Sequence, residues 1–286
     1  MKKTSTTKRS ILRISCFALM ACAILVPTGI ARAEVLMLDF GPSSSTQNPV
    51  GPASTAHGGE GIVTDMSWNK ITAGNSDVSA GNLVFADGST ASGIALDTGV
   101  ETASGSYAID WSSSVVTQMS GSSGAPKYAR GPVIRDYMRG GYGGPMETFD
   151  RMIAIRISGL APGEYDVYAI ATDSYMQADS NVQYGATFDL YVGADNGQAT
   201  TNLQGFANGR VTNLGSKWID GDTYWRTNVS VGAGENLVIG SERIEPWWGR
   251  RGQFNAIQIV PTPEPATMSL LGLGGVVALL RRRRKT

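Results

Sequence analysis

The chain has 286 residues, 24 Lys plus Arg, 24 Asp plus Glu and one histidine, for a formal net charge of zero. That zero hides unlike parts: 6 basic residues precede residue 34 and 5 follow residue 280, which leaves 13 bases against 23 acids over residues 34–262, a net charge near −10. A body of that sign repels nucleic-acid phosphates and carries no basic patch interleaved with aromatics, and a lone histidine cannot build a His-rich metal site, so both classes are excluded.

The first 13 residues carry Lys2, Lys3, Lys8, Arg9 and Arg13 and no acid, and an apolar stretch follows over 14–26. Ala31-Arg32-Ala33 then places small side chains at the two positions a signal peptidase reads, so residues 1–33 are expected to be a secretory signal peptide cut between Ala33 and Glu34. A buried N-terminal helix is the competing reading, but little in the rest of the chain looks helical enough to pack on it. Leu19-Met20-Ala21-Cys22 is a loose lipobox that Met20 fits poorly, and the chain stays apolar beyond Cys22. Both cysteines, Cys16 and Cys22, fall in this segment, so the remainder has no disulfide, thiol nucleophile or thiolate metal site despite export.

From residue 34 onward, Gly, Ser, Thr, Asn and Asp punctuate short β-prone runs, and no long stretch repeats at the 3.6 helical period. Strands are predicted over 35–40, 61–68, 83–86, 93–96, 107–111, 152–157, 165–172, 187–192, 227–231, 237–240 and 255–260. Alternation assigns faces in several of them. Ile153, Ile155 and Ile157 share one; Tyr165, Val167 and Ala169 oppose Asp166, Tyr168 and Ile170; Phe188, Leu190 and Val192 point one way. Such alternation marks antiparallel sheets with one buried face. Turn chemistry joins strands at residues 158–163 and 232–236. Residues 41–61 and 112–148 read as loop-rich, and a domain-splitting linker is not evident.

Within this domain His57 lies in Thr55-Ala56-His57-Gly58-Gly59 with no Gly-x-Ser-x-Gly elbow, which argues against a Ser-His-Asp hydrolase. Paired carboxylates could cleave a glycosidic bond, and 23 acids leave that reading open. Asp195-Asn196-Gly197 and Asp220-Gly221-Asp222 are acidic turns that do not match an EF-hand, so they read first as Asx turns and second as a structural calcium site. Aromatics crowd the last third: Trp218, Tyr224, Trp225, Trp247 and Trp248. The run Trp247-Trp248-Gly249-Arg250-Arg251 falls between predicted strands. A flat indole stacks on a sugar ring, and a guanidinium such as that of Arg250 hydrogen-bonds hydroxyls or pairs with acidic glycans; equally, indoles cap a core with one wet edge. Trp68 and Trp111 are expected in the core.

The chain closes with Pro261-Thr262-Pro263-Glu264-Pro265, fifteen apolar or small residues over 266–280, and Arg281 to Arg284 with Lys285. As a helix those fifteen residues reach about 22 Å, short for a bilayer core but spannable with local thinning, and the basic cluster stays cytoplasmic. Pro263-Glu264-Pro265, the span containing Gly272, Gly274 and Gly275, and the terminal arginines together resemble the PEP-CTERM sorting signal of Gram-negative bacteria that make extracellular polysaccharide. The resemblance implies processing near Pro263, Glu264 and Pro265 by an exosortase, a membrane cysteine transpeptidase; a permanent single-span anchor has the same topology. In the domain, Leu38-Asp39-Phe40-Gly41 with Trp68-Asn69, the run from Ile157 through Tyr168, and the closing Phe254-Asn255-Ala256-Ile257-Gln258-Ile259 resemble galactose-binding-like or malectin-like jelly rolls. That likeness speaks to fold more than to ligand.

The expectation is therefore an all-β chain: an antiparallel β-sandwich of jelly-roll, galactose-binding-like type over 34–260, flanked by a signal peptide (1–33) and a C-terminal transmembrane sorting segment (261–286). The expected role is non-catalytic: an exported surface or extracellular-matrix protein, sorted by an exosortase-type system, that contacts polysaccharide through Trp225, Trp247, Trp248 and Arg250. A matrix component without a specific ligand and a carbohydrate-active hydrolase are the alternatives. No cofactor is expected beyond the open question of calcium. The expected partners are signal peptidase, exosortase, the membrane through the C-terminal span, and extracellular polysaccharide. The location is an inner-membrane-anchored precursor, then the surface or matrix of a Gram-negative cell.

Overall fold

In the computed structural model, residues 34–41, 67–72, 77–112, 118–121, 136–139, 151–171, 187–212, 219–244 and 252–262 are described. Every regular element among them is a strand: β1 (Leu36–Phe40), β2 (Asn69–Ile71), β3 (Ala95–Glu101), β4 (Ala108–Asp110), β5 (Gln118–Gly121), β6 (Asp136–Arg139), β7 (Ile153–Ser158), β8 (Gly163–Ile170), β9 (Phe188–Asp195), β10 (Thr200–Asn202), β11 (Ala207–Val211), β12 (Trp225–Val231), β13 (Asn236–Arg243), β14 (Gln253–Phe254) and β15 (Ala256–Pro261). They form a five-stranded sheet in the order β12-β8-β15-β1-β2, a seven-stranded sheet β10-β4-β3-β7-β13-β9-β11, and a three-stranded sheet β14-β6-β5. β1 and β2 run parallel, Leu38 opposite Asn69; the other pairings of these strands are antiparallel.

Side-chain alternation explains why two sheets stack. Ile153, Ile155 and Ile157 of β7, Tyr165, Val167 and Ala169 of β8, and Phe188, Leu190 and Val192 of β9 all turn into one core, where Leu36, Leu38, Phe40, Leu237, Ile239, Ile257 and Ile259 join them. Burying each large aliphatic chain contributes roughly 1.5–3 kcal/mol, and a one-residue slip of any strand would expel its whole set. The residues between them face outward and are also apolar in part. Tyr168 and Ile170 pack with Met37, Trp68, Tyr224 and Ala256 outside the five-stranded sheet. Ala154, Tyr191 and Val238 pack with Ile109, Trp111 and Leu203 outside the seven-stranded one. Trp68 and Trp111 are thus buried as expected, in these outer clusters. Gly193 and Gly240, on neighbouring strands β9 and β13, leave a flat floor there: a Cβ on either would run into Phe206 or Leu203.

Register gives the sandwich two unlike poles. The turns at 159–162 and 232–235 do not make hairpins; they carry the chain from β7 to β8 and from β12 to β13, from one sheet to the other. Gly159 and Gly234 take φ of 80° there, a left-handed conformation that glycine adopts at least cost. Glu235 Oε2 accepts from Gly232 N at 2.7 Å and Ala161 O from the Tyr165 hydroxyl at 2.6 Å. This pole, the base, also holds the start of β1 and the end of β15, since Leu36 stands opposite Ile259. At the opposite pole, the top, lie Ala171, Thr187, Thr212, Ile219, Ile244 and Gly252, which border the connections 172–186, 213–218 and 245–251. Backbone bonds tie these ends together: Thr212 N to Asp222 O at 3.0 Å, Ile244 N to Thr187 O at 3.2 Å and Gly252 N to Arg151 O at 3.1 Å.

The expected all-β sandwich is what the chain forms, with differences in detail. Residues 83–86 make isolated bridges, Leu36 with Phe85 and Val84 with Thr90, rather than a strand. The region 112–148, read as loop, contains β5 and β6. β3 runs on to Glu101 because Arg156 takes Asp97 at 2.6 Å and Asp77 takes the Thr98 amide at 3.0 Å, which makes polar residues acceptable in a ladder. The sequence-based boundary at residue 260 falls inside β15, which ends at Pro261.

Ile155 is fully buried between the sheets. Ile155→Ala is predicted to cost about 2–5 kcal/mol. A urea titration should show a lower midpoint with an unchanged slope.

Candidate functional site

Of the four residues expected to contact glycan, only Trp225 is described; Trp247, Trp248 and Arg250 lie outside the described residues, as do His57, Trp218 and the sorting residues Pro263, Glu264 and Pro265. Trp225 opens β12, the edge strand of its sheet, and is half-buried. Its side chain shares the inward face of β12 with Thr227, Val229 and Val231 and packs against the core. The indole lies on Gly209 of β11, where a Cβ would strike the ring, so tryptophan and glycine together close the seam between the edge strands of the two sheets. One face of Trp225 is therefore committed to packing.

The other described aromatic rings are also largely structural. Trp68, Trp111, Tyr168, Tyr191 and Tyr224 are each less than 9% exposed, too little to offer a sugar a stacking face. Trp111 donates from Nε1 to Thr201 Oγ1 at 2.8 Å, and the Arg156 guanidinium lies 4.5 Å from its ring centroid.

Carboxylates follow the same rule. Glu101 is fully buried and accepts from Tyr107 N at 2.7 Å and Met152 N at 3.2 Å, tying the top turn after β3 to the start of β7. Glu242 accepts from the Tyr191 hydroxyl at 3.2 Å. Asp189 receives Arg210 bidentately, at 2.7 and 3.0 Å. The first acidic turn is an Asx turn and the second is held by other partners: Asp195 Oδ1 accepts from Gly197 N and Asn236 Nδ2, both at 3.0 Å, and its other oxygen from the Thr201 hydroxyl. Asp220 Oδ1 accepts from Arg226 N at 2.8 Å, and Asp222 Oδ1 from the Thr212 hydroxyl at 2.8 Å. Among the described residues no three His, Cys, Asp or Glu side chains group as metal ligands would.

An open polar strip remains on the outer face of the five-stranded sheet toward the base. Asp166 accepts from Arg226 at 2.7 Å and from Asn228 Nδ2 at 3.3 Å, and Asn228 also reaches Thr262 Oγ1 at 3.4 Å. Thr262 N donates to Glu164 O at 2.8 Å. Pro261 stands opposite Tyr165. Glu34, at the start of the domain, is close enough to help hold the Tyr165 hydroxyl protonated, second to its burial. The two ends that adjoin the predicted signal-cleavage and sorting sites thus leave the fold side by side at the base. Sequence reading had no signal for this neighbourhood, because it depends on first and last strands pairing across more than 200 residues.

Residues 261–285 match the PEP-CTERM protein-sorting motif. The chain carries this motif, which implies an exosortase-sorted extracellular protein that passes through a membrane-anchored precursor. The apolar spans read from the sequence lie outside the described residues, among which no helix is long and apolar enough to cross a membrane. No curated protein matches the chain. Similar solved structures include a Bacillus subtilis protein determined by structural genomics (14% identity, TM-score 0.32, 80% of this chain and 40% of that one). Another is the ANXUR2 extracellular domain of Arabidopsis thaliana (14% identity, TM-score 0.30, 52% of this chain and 39% of that one). A third is the K1 cleaved adhesin domain of Lys-gingipain from Porphyromonas gingivalis W83 (15% identity, TM-score 0.32, 58% of this chain and 99% of that one). Superpositions of this size leave function to be argued from the chain's own residues.

Burial lifts the ionisation of several hydroxyls above the ordinary tyrosine value of 10.0: Tyr168, Tyr191, where Glu242 adds to burial, and Tyr224, which is pushed up to about 12. The neutral phenols are favoured by the fold, so their contribution is complete below pH 10 and is lost as pH rises from there toward 12. The thermal midpoint is predicted to fall across that window, and phenolate absorbance should grow in step with unfolding rather than before it.

Proposed function

We propose that this is a non-catalytic surface or matrix module, released or attached after sorting, that holds extracellular polysaccharide through its top pole. The observation that carries the reading is polarity. The sorting motif leaves the domain at the base, next to Glu34, while Ile244 and Gly252, which flank the connection containing Trp247, Trp248 and Arg250, lie at the top. A chain tethered at one pole and bearing two adjacent indoles and two guanidiniums on a connection from the other has the chemistry of a glycan contact: apolar ring faces for stacking, with planar donors for hydroxyls or uronate carboxylates. Trp225 supports the top from inside the seam. The buried acids support a non-catalytic role, because Glu101, Glu242 and Asp189 each hold a structural partner.

Purified residues 34–262 are predicted to be pulled down by the producing cell's own polysaccharide and to release no reducing ends. The Trp247→Ala, Trp248→Ala pair should lose at least about tenfold in affinity, as expected when two stacking rings worth about 1 kcal/mol each are removed. Trp225→Ala should instead lower the thermal midpoint. Binding retained by the folded double variant would refute the assignment of these indoles, and reducing-end release would favour the hydrolase reading.

A further inference from the structure

We propose that the folded domain regulates its own sorting: the motif becomes a full substrate only when the end of β15 peels away from β8. The inference rests on the sorting reading and concerns its timing.

The matched motif begins at Pro261, and that residue is still part of β15, in register with Tyr165. Thr262, the next residue, gives its amide to Glu164 O at 2.8 Å and receives Asn228 Nδ2 at its hydroxyl at 3.4 Å. Pro263 follows at once, so no spacer separates this bonded residue from Pro263-Glu264-Pro265.

Backbone chemistry makes this overlap consequential. Pro261, Pro263 and Pro265 have no N–H. In residues 261–265 only Thr262 and Glu264 can donate a backbone hydrogen bond, and the fold already uses the Thr262 donor. Enzymes and partners that take an extended peptide pair with its backbone, and a group committed to one ladder is not available to another.

The position of β15 sets how far the release can go. It is a central strand, held by β8 on one side and β1 on the other, and residues 256–259 carry core side chains. Opening from the end therefore frees Thr262 and Pro261 first, at little cost, and meets the buried Ile259 soon after. Such a strand end opens often but briefly, which makes processing slower than on a free tail without blocking it. It also couples the step to folding, because the tie exists only once β8 and β15 have paired.

A reversible lock tests this. Thr262 and Glu164 are opposed and hydrogen-bonded, a pairing whose Cα separation of about 5.5 Å suits a disulfide. The mature chain has no other cysteine to interfere. Full-length precursor is followed by pulse-chase in the producing cell, with the processed form identified by mass. Four chains are compared with the natural one: Glu164→Cys with Thr262→Cys, each single variant, and a short Gly-Ser insertion between Thr262 and Pro263. The oxidised pair is expected to be processed at least about tenfold more slowly than either single variant, and the insertion variant several-fold faster than the natural chain. A locked pair processed as fast as the single variants, or an insertion that changes nothing, overturns the proposal and leaves the sorting reading in place. A natural chain that is never processed overturns both.

Discussion

The pairing of the first strand with the last is the constraint on which the rest of this structure depends. β1 and β15 lie side by side at the middle of the five-stranded sheet, Leu36 opposite Ile259 and Leu38 opposite Ile257. Their alternate residues contribute Leu36, Leu38, Phe40, Ile257 and Ile259 to the core, so neither strand as a whole can be released without opening it. The same pairing brings Glu34 and Thr262 to one pole. It leaves the opposite pole to connections that carry no part of the tether.

Sequence reading recovered what alternation encodes and missed what only partners make tolerable. The isoleucines of β7, the Tyr165-Val167-Ala169 face of β8 and the Phe188-Leu190-Val192 face of β9 were legible because period-2 alternation is a local property. β10 and β11 were not, because Thr200, Asn202, Asn208 and Arg210 look like loop residues until Asp189 receives Arg210 and the ladder supplies backbone partners. β13 was expected to stop at Gly240. It continues through Ser241, Glu242 and Arg243, polar residues buried at 0%, 3% and 6% exposure, with Tyr191 supplying a partner for Glu242. Chain direction across the two short turns was also invisible: 158–163 and 232–236 have turn chemistry whether they make a hairpin or change sheets.

For the candidate site the balance is similar. The sorting tail was legible from its three-part order, since charge, apolar length and the Pro-Glu-Pro run are properties of the sequence itself. Trp225 was singled out for its aromaticity, but Gly209, sixteen positions earlier, is what decides that its ring closes a seam. Within the described residues the aromatic and acidic groups are mostly consumed by the fold, which shifts the functional weight to the two poles. One joins the domain to its sorting segment, and the other borders the connection that carries Trp247 and Trp248.

This polarity is readable as depth at the membrane. Single cysteines at exposed positions, Ala233→Cys in the base turn and Ser104→Cys in the top turn, would each carry a fluorophore on unprocessed precursor reconstituted in vesicles with a headgroup quencher. Quenching is expected to be strong at residue 233 and slight at residue 104. Equal quenching at the two positions, or the reverse order, would contradict the polarity.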